Sequence, residues 1–172
     1  MAITYQAIAT RTVGSGGAAT IEFTSIPQTY TDLVLKLSAR HDSSSAEGVN
    51  LKINSITTGY TSRFISGNGA SAGSGTRTTY QGWDIASVVN YSTTTSNTFA
   101  NVEVYIPNYA SSNQKSASSD SVQESNATTA YMYMLAHLQT STAAITSLTC
   151  SVQGSNNFVQ YSTATLYGIK NS

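Results

Sequence analysis

The sequence predicts an all-β protein, a single jelly-roll-like β-sandwich over residues 1–172, on three observations. Ser and Thr number 27 and 25 of 172 residues, whereas the strong helix formers Glu, Lys and Leu are sparse. Apolar residues alternate with polar ones: Leu33, Leu35, Leu37 and Ala39 share one face of an extended segment, with Lys36, Ser38 and Arg40 on the other. Turn residues recur between short segments at the spacing of a two-sheet sandwich.

Taken in order, the same template gives strands at 3–13, 18–24, 32–41, 48–54, 61–66, 78–88, 97–106, 115–124, 129–139, 144–153 and 157–169. Gly14-Ser15-Gly16-Gly17 separates the first two, and Ile26-Pro27-Gln28 follows the second. Leu51 and Ile53 bracket Lys52 in the fourth, and Val102, Val104 and Ile106 bracket Glu103 and Tyr105 in the seventh, each a half-buried strand. Between the fifth and sixth, the glycine-rich run 67–75 reads as a flexible surface loop. Pro107 ends the seventh, because proline cannot donate to a ladder. Gly154-Ser155-Asn156-Asn157 reads as a tight connection between the last two. No composition shift marks a second domain, so one domain is expected.

Only 9% of the chain is charged, eight basic residues against eight acidic ones, where a soluble domain averages about 25%. The basic residues are scattered, which argues against nucleic acid or an anionic membrane as a partner. So few charges and no net charge predict poor solubility as a monomer, and hence work inside an assembly. Cys150 is the single cysteine, so an internal disulfide is impossible. The first residues lack the basic start and apolar run of a signal peptide, and no apolar run approaches the roughly 18 residues of a membrane span. These features predict synthesis in a reducing cytoplasm.

The shortage of charge is concentrated. From Ser125 to Ile169 there is no Asp, Glu, Lys or Arg. Within that stretch the strand at 129–139 is apolar on both faces, with Tyr131, Tyr133 and Leu135 on one and Met132, Met134 and Leu138 on the other. One face fills a core; the other needs a cover, supplied either by a loop of the same chain or by another subunit. The subunit reading makes Met132, Met134 and Leu138 interface residues. The strands at 129–139, 144–153 and 157–169 are expected to be the most enclosed part of the molecule, with the charged loop 40–47 facing water.

Groups capable of catalysis are few. His41 and Asp42 are adjacent at a strand end and point to opposite faces, so Ser43, Ser44 and Ser45 do not complete a triad with them. His137 lacks an acidic neighbour in sequence, and Cys150 alternates with Leu148 and Val152 as a small core residue. Asp84 with Glu103, or Asp120 with Glu124, can be paired on paper without any spacing that favours them. Metal-ligand motifs are missing, and no cofactor is expected. The sequons at Asn90 and Asn126 occur at the frequency that chance gives in so Ser/Thr-rich a chain. Trp83 offers a ring on which a glycan could stack.

Four phrases, in this order, resemble those of small virion structural proteins of tailed bacteriophages, particularly of cyanobacterial hosts. They are Phe23 through Leu35 (FTSIPQTYTDLVL), Val104 through Tyr109 (VYIPNY), Ala144 through Leu148 (AITSL) and Ser162 through Ile169 (STATLYGI). The resemblance implies a jelly-roll-like sandwich on the capsid surface of the virion. It would be a non-enzymatic decoration or cement protein, a homo-oligomer expected to be a trimer, with the major capsid protein as its other partner. The alternative within the same resemblance is a tail- or fibre-associated receptor-binding module, with Trp83 as its glycan contact.

Overall fold

The computed structural model describes residues 5–78, 80–127 and 129–170. Among them the chain forms β1 (Tyr5–Thr12), β2 (Thr20–Phe23), β3 (Asp32–Ala39), β4 (Val49–Ile53), β5 (Tyr60–Gly67), β6 (Ala72–Arg77), β7 (Trp83–Ala86), β8 (Ala100–Ile106), β9 (Lys115–Gln123), β10 (Tyr131–Gln139), β11 (Leu148–Val152) and β12 (Thr163–Ile169), with a short 3-10 turn at Gln153–Ser155. Two antiparallel sheets result. The larger runs β1-β12-β3-β8-β9-β10-β5-β6 and the smaller β2-β11-β4-β7.

The order becomes simple once two hairpins are set aside. β5–β6 falls between β4 and β7 in the chain, and β9–β10 falls between β8 and β11. Without them, β1-β12-β3-β8 faces β2-β11-β4-β7, the strand arrangement of a jelly roll. Both hairpins then add to the β8 edge of the larger sheet, and β10 joins them by pairing with β9 on one side and β5 on the other.

Alternation builds the core as the sequence predicts. Leu33, Leu35 and Leu37 of β3, Leu51 and Ile53 of β4, Val102, Val104 and Ile106 of β8, and Leu148 and Cys150 of β11 meet between the sheets, all buried. Each such side chain contributes roughly 1.5–3 kcal/mol relative to exposure. Pro107 follows the last residue of β8, as expected. Of the four added strands, β5, β9 and β10 pack over β7, whose Trp83 and Ile85 are fully buried beneath them.

Several expectations need correction. The run 67–75 is not a loop but the turn of the β5–β6 hairpin and the start of its second strand: Asn68 Oδ1 accepts the amides of Ala70 and Ser71, and Gly69 takes φ +85°. Gly75 leaves room for the Phe64 ring, which lies 2.8 Å from where a Cβ would stand. The strand expected at 78–88 contracts to Trp83–Ala86, that at 144–153 to Leu148–Val152, and that at 157–169 to Thr163–Ile169. The last connection is correspondingly longer than a tight turn, and Phe158 within it bridges to Ala18 and His41. Loop 40–47 does not face water throughout, because Arg40 and His41 are buried at its base. β11 and β12 are interior strands of their sheets, whereas β10 is enclosed on one face only.

Candidate functional site

The exposed side of β10 is the most apolar surface that the described residues present. Met132 and Met134 are 63% and 64% exposed, Ile65 beside them on β5 is 60% exposed, and Leu138 is also open. Their grouping follows from register. Met134 stands between Asp120 of β9 and Ile65 of β5, and Ile65 is opposite Ser74 of β6. One pleat further along, Ala136 stands between Ser118 and Arg63; one pleat back, Met132 stands between Val122 and Gly67. The small neighbours Gly67, Ala72 and Gly73 leave a shallow hollow of about 750 Å³ against the methionines.

Charge borders this patch on its β8 side. Lys36 of β3 pairs with Glu103 of β8 at 2.9 Å, and Glu103 is in register with Asp120. Partial burial, reinforced by the Glu103 charge, raises the Asp120 carboxyl above the usual carboxylate range. Arg63 lies exposed on the opposite side of β10 and donates to Thr76 Oγ1 at 2.8 Å. Among the described residues, neither Asp120 nor Arg63 makes an ion pair.

The reverse face of the same strands holds a buried polar cluster. His137 is buried between Ser62 and Ser119, each hydroxyl 2.8 Å from one ring nitrogen. Ser119 gives its hydrogen to the Ile85 carbonyl, so it accepts from Nε2–H; Ser62 accepts the Asp84 amide, so its hydroxyl donates to Nδ1. The imidazole is therefore neutral, and burial holds its pKa at about 3. The Trp83 ring lies tilted over it with centroids 5.6 Å apart.

Other ionisable groups are likewise committed to structure. Arg40 donates to the carbonyls of Ser92, Thr94, Thr95 and Thr98, fastening the segment before β8. The Lys115 ammonium donates to the carbonyls of Ser111 and Thr142, at 2.7 and 3.4 Å. Asp84 accepts from Ser87 Oγ and Gln153 Nε2 and lies 3.5 Å from Arg77 Nε; burial nevertheless raises its pKa. Burial also pushes the Cys150 thiol up to about 12, well away from a reactive thiolate.

Placed on the fold, the sequence-derived candidates divide. Met132, Met134 and Leu138 do share one exposed face, as read. Trp83 does not offer a stacking surface: it is 0% exposed, with Tyr60 edge-on at 6.2 Å. Sequence reading offered it as a ring for a glycan to stack on because the strands that cover it arrive from other parts of the chain. His41 is buried and Asp42 exposed, so they do point apart; Asp42 instead accepts from Asn157. Asp84 and Glu103 lie on opposite sides of the large sheet, and Asp120 and Glu124 are about 13 Å apart along one strand direction. No group of three His, Cys, Asp or Glu residues able to hold a metal occurs among the described residues. Nor is any helix there long and apolar enough to cross a membrane. Sequence reading missed Ile65 and Arg63 as members of the exposed face; the alternation Arg63, Phe64, Ile65 was visible, but not which strand lies beside them.

No family model, curated protein or solved structure matches this chain. The likeness to virion proteins therefore rests on the four phrases alone. Structurally they fall on β2 and β3 with the turn between them, the end of β8, the approach to β11, and β12, all parts of the jelly-roll frame.

Proposed function

We propose that the protein is a non-enzymatic structural subunit of a phage virion, a decoration or cement protein that works by packing its exposed sheet face in an assembly. The observation that carries this reading is the apolar face formed by Ile65, Met132, Met134 and Leu138. Large side chains at this exposure, side by side on a flat sheet, are what a subunit contact uses and what an isolated soluble domain avoids. The low charge and the four sequence phrases support the same reading. So does the commitment of His137, Arg40 and Lys115 to hydroxyls and carbonyls. A cement subunit stabilises its shell by mass action, because it binds only the assembled lattice.

Gradient sedimentation of particles from the phage that carries the gene tests this. The protein should travel with intact heads in hundreds of copies, and Met134→Asp should leave it at the top of the gradient. Tail-like copy number, or Met134→Asp sedimenting with particles as the parent does, contradicts the proposal.

A further inference from the structure

We infer that the exposed face centred on β10, from β8 and β9 on one side to β5 and β6 on the other, is covered by a second copy of this chain, packed face to face about a two-fold axis that runs along β10. In that arrangement Asp120 of each copy meets Arg63 of the partner subunit. The inference rests on the structural-subunit reading above and specifies the occupant and symmetry of its contact face.

The face contains its own complement. Across β10 it carries one negative charge on the β9 side, Asp120, and one positive charge on the β5 side, Arg63, with Met134 and Ala136 between them. Neither has an ion-pair partner among the described residues, whereas the nearby Glu103 is already matched by Lys36. A rotation about an axis lying along β10 inverts the sheet and places β9 of one copy over β5 of the other. The two unmatched charges then approach each other twice, offset by one pleat of about 7 Å, which an arginine side chain spans. An in-plane axis perpendicular to the strands instead stacks β9 on β9 and sets Asp120 against Asp120, with Glu103 adding to the repulsion. The charge pattern thus selects one of the two simple face-to-face arrangements.

Shape agrees. Opposed sheets pack about 10 Å apart with side chains interdigitating; with β10 on the axis the methionines of the two copies meet each other, and the hollow beside Gly67, Ala72 and Gly73 lies opposite Val122 of the partner subunit. Five strands about 4.8 Å apart and up to nine residues long give a face of about 24 by 30 Å. That is smaller than the roughly 800 Å² per partner of a standard interface, so the pair should form in the micromolar range and be reinforced by other contacts in a larger assembly. A trimer would need a different surface.

Two experiments decide it. Because β10 lies on the axis, Ala136 of each copy faces Ala136 of the partner subunit, and Ala136→Cys should give a covalent dimer with a short bis-maleimide reagent, which spans the roughly 10 Å between opposed sheets; Cys150 is buried and supplies no background. In sedimentation equilibrium, Arg63→Asp and Asp120→Arg should each weaken the dimer by about tenfold or more, and the double variant should regain most of the lost affinity. The inference is overturned if the parent chain stays monomeric at millimolar concentration, if the double variant is weaker than either single one, or if Ala136→Cys does not cross-link where Ser74→Cys does. Particle binding without a dimer would retain the structural-subunit reading and remove this one; a dimer that never binds particles would do the reverse.

Discussion

Ser119 Oγ accepts a hydrogen bond from His137 Nε2 at 2.8 Å while giving its own hydrogen to the carbonyl of Ile85. This bond joins the added strands to the jelly-roll frame, since β9 and β10 supply the serine and histidine and β7 supplies the carbonyl. It also determines the histidine's chemistry, because a hydroxyl whose only hydrogen is already given can accept a proton-bearing nitrogen but cannot serve a base.

The first prediction concerns acid. Burial depresses the His137 pKa from 6.5 to about 3, and His41 is shifted in the same direction for the same reason. An unfolded chain protonates these rings first, so their contribution to stability is complete above about pH 6.5 and declines as pH falls from there toward 3. Urea midpoints measured from pH 7.5 down to about pH 4 should fall for the parent chain, and fall less steeply for His137→Gln. Parallel profiles for the two would show that the histidine is not held neutral by the fold.

Trp83→Ala should cost about 3–5 kcal/mol, because it empties a fully enclosed site between Tyr60 and His137. Chemical denaturation measures this. A loss below about 1 kcal/mol would mean that the indole is not enclosed, and would reopen its use as a glycan contact.

Arg40→Ala should cost about 2–4 kcal/mol, since it strips hydrogen bonds from four carbonyls in the 92–98 segment. Hydrogen exchange should show the resulting deprotection in that segment, with β11 and β12 little changed. Uniform deprotection of the whole chain would instead point to loss of the sandwich itself.

How much of this was legible in the sequence follows from range of interaction. Strands such as β3, β4 and β8 were readable because alternation is local: Leu33-Leu35-Leu37 and Val102-Val104-Ile106 declare an inner face without reference to anything distant. β6 was not, because Ala72-Gly73-Ser74-Gly75 has no side-chain pattern; it is a strand by virtue of pairing with β5, where Phe64 fills the space above Gly75. The exposed face was half legible. Met132, Met134 and Leu138 lie on one strand and show it by spacing, but Ile65, Arg63 and Asp120 join them only through the order of β9, β10 and β5. Trp83 was misread for the converse reason, its cover being built from residues such as Tyr60 and His137 on strands elsewhere in the chain.

The central claim is that the Met132–Met134 face is a contact surface, and methionine oxidation footprinting tests it most directly. In dilute monomer both sulfurs should oxidise rapidly with peroxide, given their exposure. In the assembled state, whether dimer or particle, the account predicts that both are strongly protected. Oxidation of Met132 and Met134 at the monomer's rate in the assembled material would contradict it.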